Sequence, residues 1–299
     1  MKVHSSRKAY LLAILAVLFW STSPTAFKLG LRFLDSYQLL TGATLTSAAV
    51  LGLIVLASRR RTKLAELRWR DFWFSALMGL LNPVAYYLIL FKAYSILPAQ
   101  VAQPLNMIWP IVLVLVSIPV LGQKISWKSL GAMLISFSGV ALVSWQGGTA
   151  SGDPENRLGI IMALSTSVIW AFYFLYNAKD RQDPVIRLWL NFMFAFFFLL
   201  LVGFFRPAML PGSIEGWSAS IYVGIFEMGI TFVLWLMAIQ AAPATDRISN
   251  LVYLAPFLNL GIVRLVLKEQ IFGSTLLGIL LLVAGILLQN LIGKDEKSA

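Results

Sequence analysis

Long apolar segments separated by short polar stretches run through the whole of this 299-residue chain. A helix needs about 20 mostly apolar residues to cross the hydrocarbon layer of a membrane. The segments reach that length, and they lack the strict alternation that is typical of barrel strands. The pattern therefore predicts an all-α membrane protein with ten spans, at residues 8–30, 36–57, 72–92, 97–119, 129–146, 158–178, 187–206, 217–240, 246–267 and 273–292.

The same pattern of proline, glycine and isoleucine positions occurs twice in the chain, about 146 positions apart. Trp20 and Trp170 stand at similar places in the first and sixth segments. Because each half carries five segments, an odd number, the second half must enter the membrane from the opposite side, as in the inverted repeats of secondary transporters. The predicted organisation is a first repeat at 1–146, a connecting loop at 147–157 and a second repeat at 158–299. The recurring landmarks are Pro98, Pro110, Ile125, Gly131 and Gly139, matched by Pro243, Pro256, Ile271, Gly278 and Gly285.

The composition is typical of a membrane protein and excludes several kinds of functional site. Hydrophobic residues make up 59% of the chain and charged residues 12%, with a mean hydropathy of +0.80. Soluble domains carry about 25% charged residues. The absence of cysteine excludes disulfides, thiolate metal sites and a cysteine nucleophile. We expect no cofactor and no metal, since the chain has no phosphate-binding Gly-x-x-x-x-Gly-Lys-Ser/Thr loop and one histidine, His4.

Basic residues lie unevenly in the predicted loops. With the N-terminus placed in the cytoplasm, 17 of the 24 Lys and Arg residues fall on the cytoplasmic side. Because Lys and Arg are retained on that side of a membrane, both termini are predicted to be cytoplasmic. The net charge of +11 is then explained by loops that face anionic lipid head groups, so no nucleic acid partner is expected.

Three tryptophans fall near the centres of their predicted spans, away from the interfaces where this residue usually lies. They are Trp20, Trp109 and Trp170. A midplane indole either packs between helices or lines a wet cavity in which its N–H finds a partner. Polar neighbours on the same helix faces favour the cavity, because such faces are costly against lipid. These neighbours are Asn106 beside Trp109, and Tyr173 and Asn177 beside Trp170.

Glu227 is the one acidic residue deep inside a predicted span. An ionisable group at that depth is a candidate functional residue. Burial favours the neutral carboxyl, which would suit proton exchange, although a carboxylate could instead pair with a cationic substrate. The alternative is a protonated side chain whose hydrogen bonds are satisfied locally and which has no role in transport.

Proline residues fall inside several predicted spans. Each removes a backbone donor and can kink its helix. Kinks at matching places in the two halves would suit mobile gating helices, while static bending for packing is the alternative. The candidate gating residues are Pro24, Pro110 and Pro256.

These residues resemble the EamA-type branch of the drug/metabolite transporter superfamily. Within that branch the motifs are similar to those of YddG-type aromatic amino acid exporters. The resemblance covers nearly the whole chain and implies ten spans, an aromatic-lined central cavity and export across a bacterial inner membrane. One departure is Gln123, where the branch often carries an acid. The motifs are Trp20-Ser21-Thr22, residues 106–110 with Trp109 and Pro110, Gly122-Gln123-Lys124 with Trp127, and Ile169-Trp170-Ala171 with Tyr173 and Asn177.

The sequence thus predicts a transporter with no enzymatic step, which exports amino acids and related amphipathic amines by alternating access, with protons as a candidate coupling ion. The three midplane tryptophans would attract an amine by cation–π contact, at about 0.5–2 kcal/mol for each pair. An exporter of drugs or organic cations on the same fold is the alternative, and a membrane-embedded enzyme is a remoter one. Further candidate substrate contacts are the hydrogen-bonding side chains of Tyr86 and Tyr87, and Trp235 and Tyr253 by helical position.

Overall fold

The computed structural model describes residues 6–109, 111–112, 115–116, 127–146, 154–180, 182–206, 208–241, 250–268 and 273–298. Within these ranges the regular elements are all helical. The main helices are α1 (Ser6–Gly30), α2 (Ser36–Ala57), α3 (Trp69–Ile96), α4 (Ala99–Asn106), α5 (Trp127–Gln146), α6 (Pro154–Lys179), α7 (Pro184–Gly203), α8 (214–241), α9 (Leu254–Ile262) and α10 (Gly273–Ser298).

Five of the helical stretches are long and apolar enough to cross a membrane: Arg7–Gly30, Ser36–Ala57, Trp69–Ile96, Pro184–Gly203 and Ile214–Trp235. Shorter apolar stretches cover Leu258–Leu267 and Gly273–Leu288. The chain is therefore an all-helical, multi-pass membrane protein, and the count of ten spans stays a prediction. Helix α6 starts at Pro154, inside the predicted 147–157 connection, because proline has a backbone angle suited to the first position of a helix.

Helices α2 and α7 begin in the same way, with an aspartate that caps the free N–H groups. The Asp35 carboxylate accepts a hydrogen bond from the Gln38 N–H at 2.8 Å, and the Gln38 side chain accepts one from the Asp35 N–H. The Asp183 carboxylate accepts one from the Val185 N–H at 3.0 Å. Such caps stabilise a helix by about 1 kcal/mol.

Each capping aspartate also pairs with an arginine just beyond the far end of the other helix. Asp35 lies 3.2 Å from Arg206, and Asp183 lies 3.1 Å from Arg60. The two arginines are 146 positions apart and the two aspartates 148. We refer to these contacts as the paired clamps. They hold α2 and α7 together at both ends.

A similar correspondence is found between α5 and α10, which pack closely through glycine. A Cβ atom on Gly139 would collide with the backbone of Gly278, and one on Gly285 would collide with the backbone of Ala132. Gly139 and Gly285 are 146 positions apart, as are Ala132 and Gly278. The two helix backbones can approach this closely only because neither glycine has a side chain.

A buried ion cluster joins the start of α7 to α3 and to the end of α6. The Arg187 guanidinium donates to the Asp180 carboxylate at 2.5 Å and to the Asp71 carboxylate at 3.0 Å. It also donates to the Ser75 hydroxyl at 2.7 Å and covers the Phe74 ring at 4.7 Å. Because its charge is already neutralised by two carboxylates, Arg187 offers no free countercharge to an anionic substrate.

Among the described residues, two helices contain a wider π-helical turn near their middle, at Leu80–Ala85 in α3 and at Val223–Gly229 in α8, and α9 continues into a third such turn at Val263–Leu267. In α3 the turn includes Pro83, and Asn82 has a non-helical backbone conformation, as expected for a residue before proline. Pro24, by contrast, lies inside the continuous helix α1. The helix tolerates the loss of one backbone donor there, and a gating role for Pro24 stays a prediction.

Candidate functional site

A central cavity lies between α1, α3, α4, α6, α8 and the turn that precedes α9. About 480 Å³ of space between atoms lies inside it, a figure that includes open solvent. Its lining combines aromatic rings with a few polar groups, namely Trp20, Ser23, Pro24, Phe27, Tyr86, Leu90, Tyr94, Gln103, Asn106, Met107, Trp109, Trp170, Glu227 and Val252.

Glu227 reaches the cavity from the π-helical turn of α8. Its two carboxyl oxygens accept hydrogen bonds from the Ser23 hydroxyl at 2.5 Å and from the Tyr87 hydroxyl at 2.9 Å. The wider turn frees backbone carbonyls, and the Ser47 hydroxyl donates to that of Gly224 at 2.8 Å. Such turns are frequent at functional sites, because they re-aim a side chain. The local backbone therefore holds an acid, itself buried, against the cavity.

A second polar chain crosses the opposite wall. The Tyr86 hydroxyl donates to the Asn106 side-chain oxygen at 3.2 Å, and the Asn106 amide donates to the Thr166 hydroxyl at 2.8 Å. Ser167 fixes the end of α4 by donating to the Asn106 backbone carbonyl at 2.8 Å. These bonds link α3, α4 and α6, so the amide orientation of Asn106 is set by three helices.

Aromatic rings around the cavity form one connected group. Trp170 lies at its centre, with ring centroids 4.7 Å from Tyr86 and 6.5 Å from Trp109. Trp20 joins the group through Phe232, whose ring lies 6.4 Å from Trp20 and 5.3 Å from Trp170. Rings at these separations attract each other beyond simple burial. The walls are therefore rigid surfaces that could accept a flat or apolar ligand.

The predicted candidates divide into three sets. Those that line the cavity are Trp20, Pro24, Tyr86, Asn106, Trp109, Trp170 and Glu227. Those that are described but lie behind the lining are Tyr87, Tyr173, Asn177 and Trp235. Pro110 lies outside the described residues, and for Tyr253 and Pro256 the structure describes the helical backbone and not the side chain.

The second set has identifiable contacts. Tyr87 supports Glu227, and Trp235 supports Trp20. The Asn177 amide donates to the Tyr173 backbone carbonyl at 2.9 Å, within its own helix. These residues thus support the lining residues or their own helix. A helical wheel, which shows only the face of one helix, does not distinguish such supporting residues from those that line the cavity.

Seven residues that line the cavity were not among the predicted candidates: Ser23, Phe27, Leu90, Tyr94, Gln103, Met107 and Val252. Ser23 and Phe27 stand three and seven positions after Trp20, so they share its helix face. That spacing was a usable signal. Tyr94 and Gln103 had none, because their positions depend on how α3 and α4 pack.

The part of the chain that the structure describes contains no group of three or more His, Asp or Glu side chains that could hold an ion. The polar groups of the cavity suit hydrogen bonding and cation attraction.

Comparison with known proteins gives the family. Residues 7–145 and residues 157–291 each match the EamA-like transporter family. The chain belongs to this family. The two matched stretches follow each other along the sequence. Together they cover nearly all of this EamA-like chain.

Individual relatives are similar over almost their full lengths. The chain is 26% identical to the uncharacterized transporter YvbV of Bacillus subtilis, over 98% of this chain and 95% of that one. It is 27% identical to the aromatic amino acid exporter YddG of Ancylobacter novellus, over 85% and 87%. It is 24% identical to a probable terminal-alkyne amino-acid exporter of Streptantibioticus cattleyicolor, over 95% and 93%.

One solved crystal structure shares the fold. It superposes with a TM-score of 0.71 at 23% identity and covers 97% of this chain and 99% of the other. At that identity the likeness concerns the fold alone.

Proposed function

We propose that this EamA-like transporter exports amino acids with aromatic or other apolar side chains, and related amphipathic amines, from a bacterial cytoplasm. The observation that carries the proposal is the central cavity, where tryptophan rings and one carboxyl group face the same space. The rings would hold an apolar side chain and attract an amine by cation–π contact, and Glu227 would exchange the coupling proton. Two of the similar proteins carry names that describe amino acid exporters.

The mechanism we propose is alternating access by two inverted five-helix repeats, divided at residues 147–157. Support comes from the paired clamps, from the glycine contacts of α5 and α10, and from the two consecutive matches to one family. Contacts that recur at a shift of 146 positions fit a pseudo-two-fold axis between the halves. Such an arrangement allows one half to rock against the other around a central ligand.

A second candidate is an exporter of drugs or organic cations. It is favoured by the charge of the cavity, whose described lining contains one carboxyl group and no Lys or Arg. A membrane-embedded enzyme is less well supported, because among the described lining residues Glu227 is the one acid and would have no second acid as a partner. Uptake of a labelled amino acid panel and a quaternary ammonium probe into proteoliposomes, with and without a pH gradient, would separate these candidates.

We expect Glu227→Gln to keep substrate exchange and to lose acceleration by a proton gradient. The amide keeps the shape and hydrogen bonding of the side chain and removes its titration. Exchange and gradient-driven transport would be measured in the same proteoliposomes. A variant as sensitive to the gradient as the parent, or a parent with no gradient dependence, would contradict proton coupling through this residue.

Both termini are expected to lie on the cytoplasmic side of the bacterial inner membrane. Since the chain has no cysteine, single cysteines introduced at Ser5 and Ser298 can be probed without background. Neither should react with an impermeant thiol reagent in intact cells, and both should react after the cells are permeabilised. Reaction in intact cells would reverse the predicted orientation.

A further inference from the structure

The end of the cavity that faces away from the start of α1 is closed by aromatic rings. Phe27 and Tyr94 both line the cavity, both are 2% exposed, and their ring centroids lie 5.3 Å apart with the rings nearly perpendicular. Phe91 packs on Phe27 at 4.8 Å and extends the closure. Contact between α1 and α3 at this level is therefore made by side chains whose rotation would open it, with no break in either helix.

Tyr94 also borders a second space on the other side of this closure. That outer pocket encloses about 680 Å³, including solvent, and lies between the ends of α1 and α3. Its described lining is Lys28, Leu31, Arg32, Tyr94, Ser95 and Leu267. Tyr94 thus belongs to the lining of both the central cavity and the outer pocket.

The outer pocket differs from the cavity in the sign of its charge. The charged residues in its described lining are Lys28, near the end of α1, and Arg32, just beyond that end, and both are cations. The central cavity carries the Glu227 carboxyl group and no described cation. A zwitterion that leaves the cavity would move its carboxylate toward positive charge, while an amine without a carboxylate would be repelled.

We propose that Phe27 and Tyr94 form the outer gate of the cavity, and that Lys28 and Arg32 beyond it select substrates with a free carboxylate. This inference rests on the proposed function and narrows its substrate class to amino acids in preference to plain amines. The gate rings close the path when no substrate passes. The two cations then lower the barrier for a carboxylate to leave the aromatic site.

The gate is tested by access of a reagent from outside intact cells, without any transport measurement. Met107→Cys places a thiol in the cavity of a chain that has no other cysteine. Labelling of this thiol by an impermeant reagent should be slow when Tyr94 is present and severalfold faster with Tyr94→Ala or Phe27→Ala. Tyr94→Phe keeps the ring and should label as slowly as the parent.

The control thiol is Phe33→Cys, at a position exposed near the same end of α1. It should react equally in the parent and in every gate variant. Failure to react would mean that this end of α1 faces the cytoplasm, which would overturn the assignment of Phe27 and Tyr94 to an outer gate. Gel filtration in detergent confirms that each variant is folded. Equal labelling of Met107→Cys with and without both rings would overturn the gate.

Selection is tested with tryptophan and tryptamine, which share a ring and an amine and differ in the carboxylate. Removing both cations, by Lys28→Gln with Arg32→Gln, should lower tryptophan transport about tenfold and leave tryptamine transport unchanged or faster. Arg264→Gln removes an exposed cation near the same end and should change neither rate. Equal losses for both substrates would overturn selection by charge. A parent that moves neither substrate would contradict the proposed function, while the labelling assay would still report on the gate.

Discussion

Trp170→Ala is expected to abolish most transport and to lower the melting temperature in detergent. Among the described side chains, the Trp170 ring has four aromatic neighbours, at 4.7 Å (Tyr86), 5.3 Å (Phe232), 6.2 Å (Tyr173) and 6.5 Å (Trp109). Truncating a buried tryptophan costs about 3–5 kcal/mol in soluble cores, because the space is not refilled. The variant would also lose the surface on which a substrate ring could stack.

Transport rate per folded molecule separates the two effects of this substitution. Trp170→Phe keeps a ring in the group and should recover much of the stability with less of the transport. Trp127→Ala is the matched control, because Trp127 is 84% exposed and should be dispensable for both. If activity falls only as far as the folded fraction does, and Trp109→Ala behaves in the same way, the rings are structural and the substrate site lies elsewhere.

Arg187→Met is expected to be among the most destabilising single changes at the membrane surface. It would leave the Asp71 and Asp180 carboxylates, which are 16% and 20% exposed, facing each other without a cation. Breaking a buried ion pair by removing one partner costs about 3–5 kcal/mol. The melting temperature in detergent is the measurement, and we expect a loss large enough to lower the yield of folded protein.

Arg206→Gln provides the comparison for this prediction. Its pair with Asp35 is exposed on both sides, at 41% and 49%, and such pairs contribute about 0–1 kcal/mol. Adding Asp71→Asn and Asp180→Asn to Arg187→Met should restore much of the loss, since no buried charge then remains unpaired. Equal melting temperatures for Arg187→Met and Arg206→Gln would show that the cluster contributes no more than a surface pair.

The parts of the site that could be predicted from sequence depend on depth along a single helix. Hydropathy places Trp20, Trp109 and Trp170 at mid-span, and the structure brings all three to one cavity. Their depth could be read from the sequence because a long apolar helix fixes the depth of each of its residues. The same argument could not tell Tyr87 from Tyr86, which are adjacent in the chain and occupy different layers of the wall.

Other features of the site depend on packing between segments that are distant in the sequence, so no local sequence pattern predicted them. The π-helical turn that carries Glu227 adds less than one residue to a turn and leaves the hydropathy of α8 unchanged. The burial of Arg187 against Asp71 follows from the meeting of α3 with α7. Tyr94 became a wall of two pockets only because α1 and α3 converge there.

The paired clamps join the same two helices but differ in contact with water, and this makes the two ends unequal in their response to ionic strength. In the Asp183 clamp the aspartate is 13% exposed, whereas in the Asp35 clamp it is 49% exposed. Dissolved ions screen exposed charges much more strongly than buried ones. Concentrated salt should therefore loosen α2 from α7 at the Asp35 end first, while the Asp183 end stays closed.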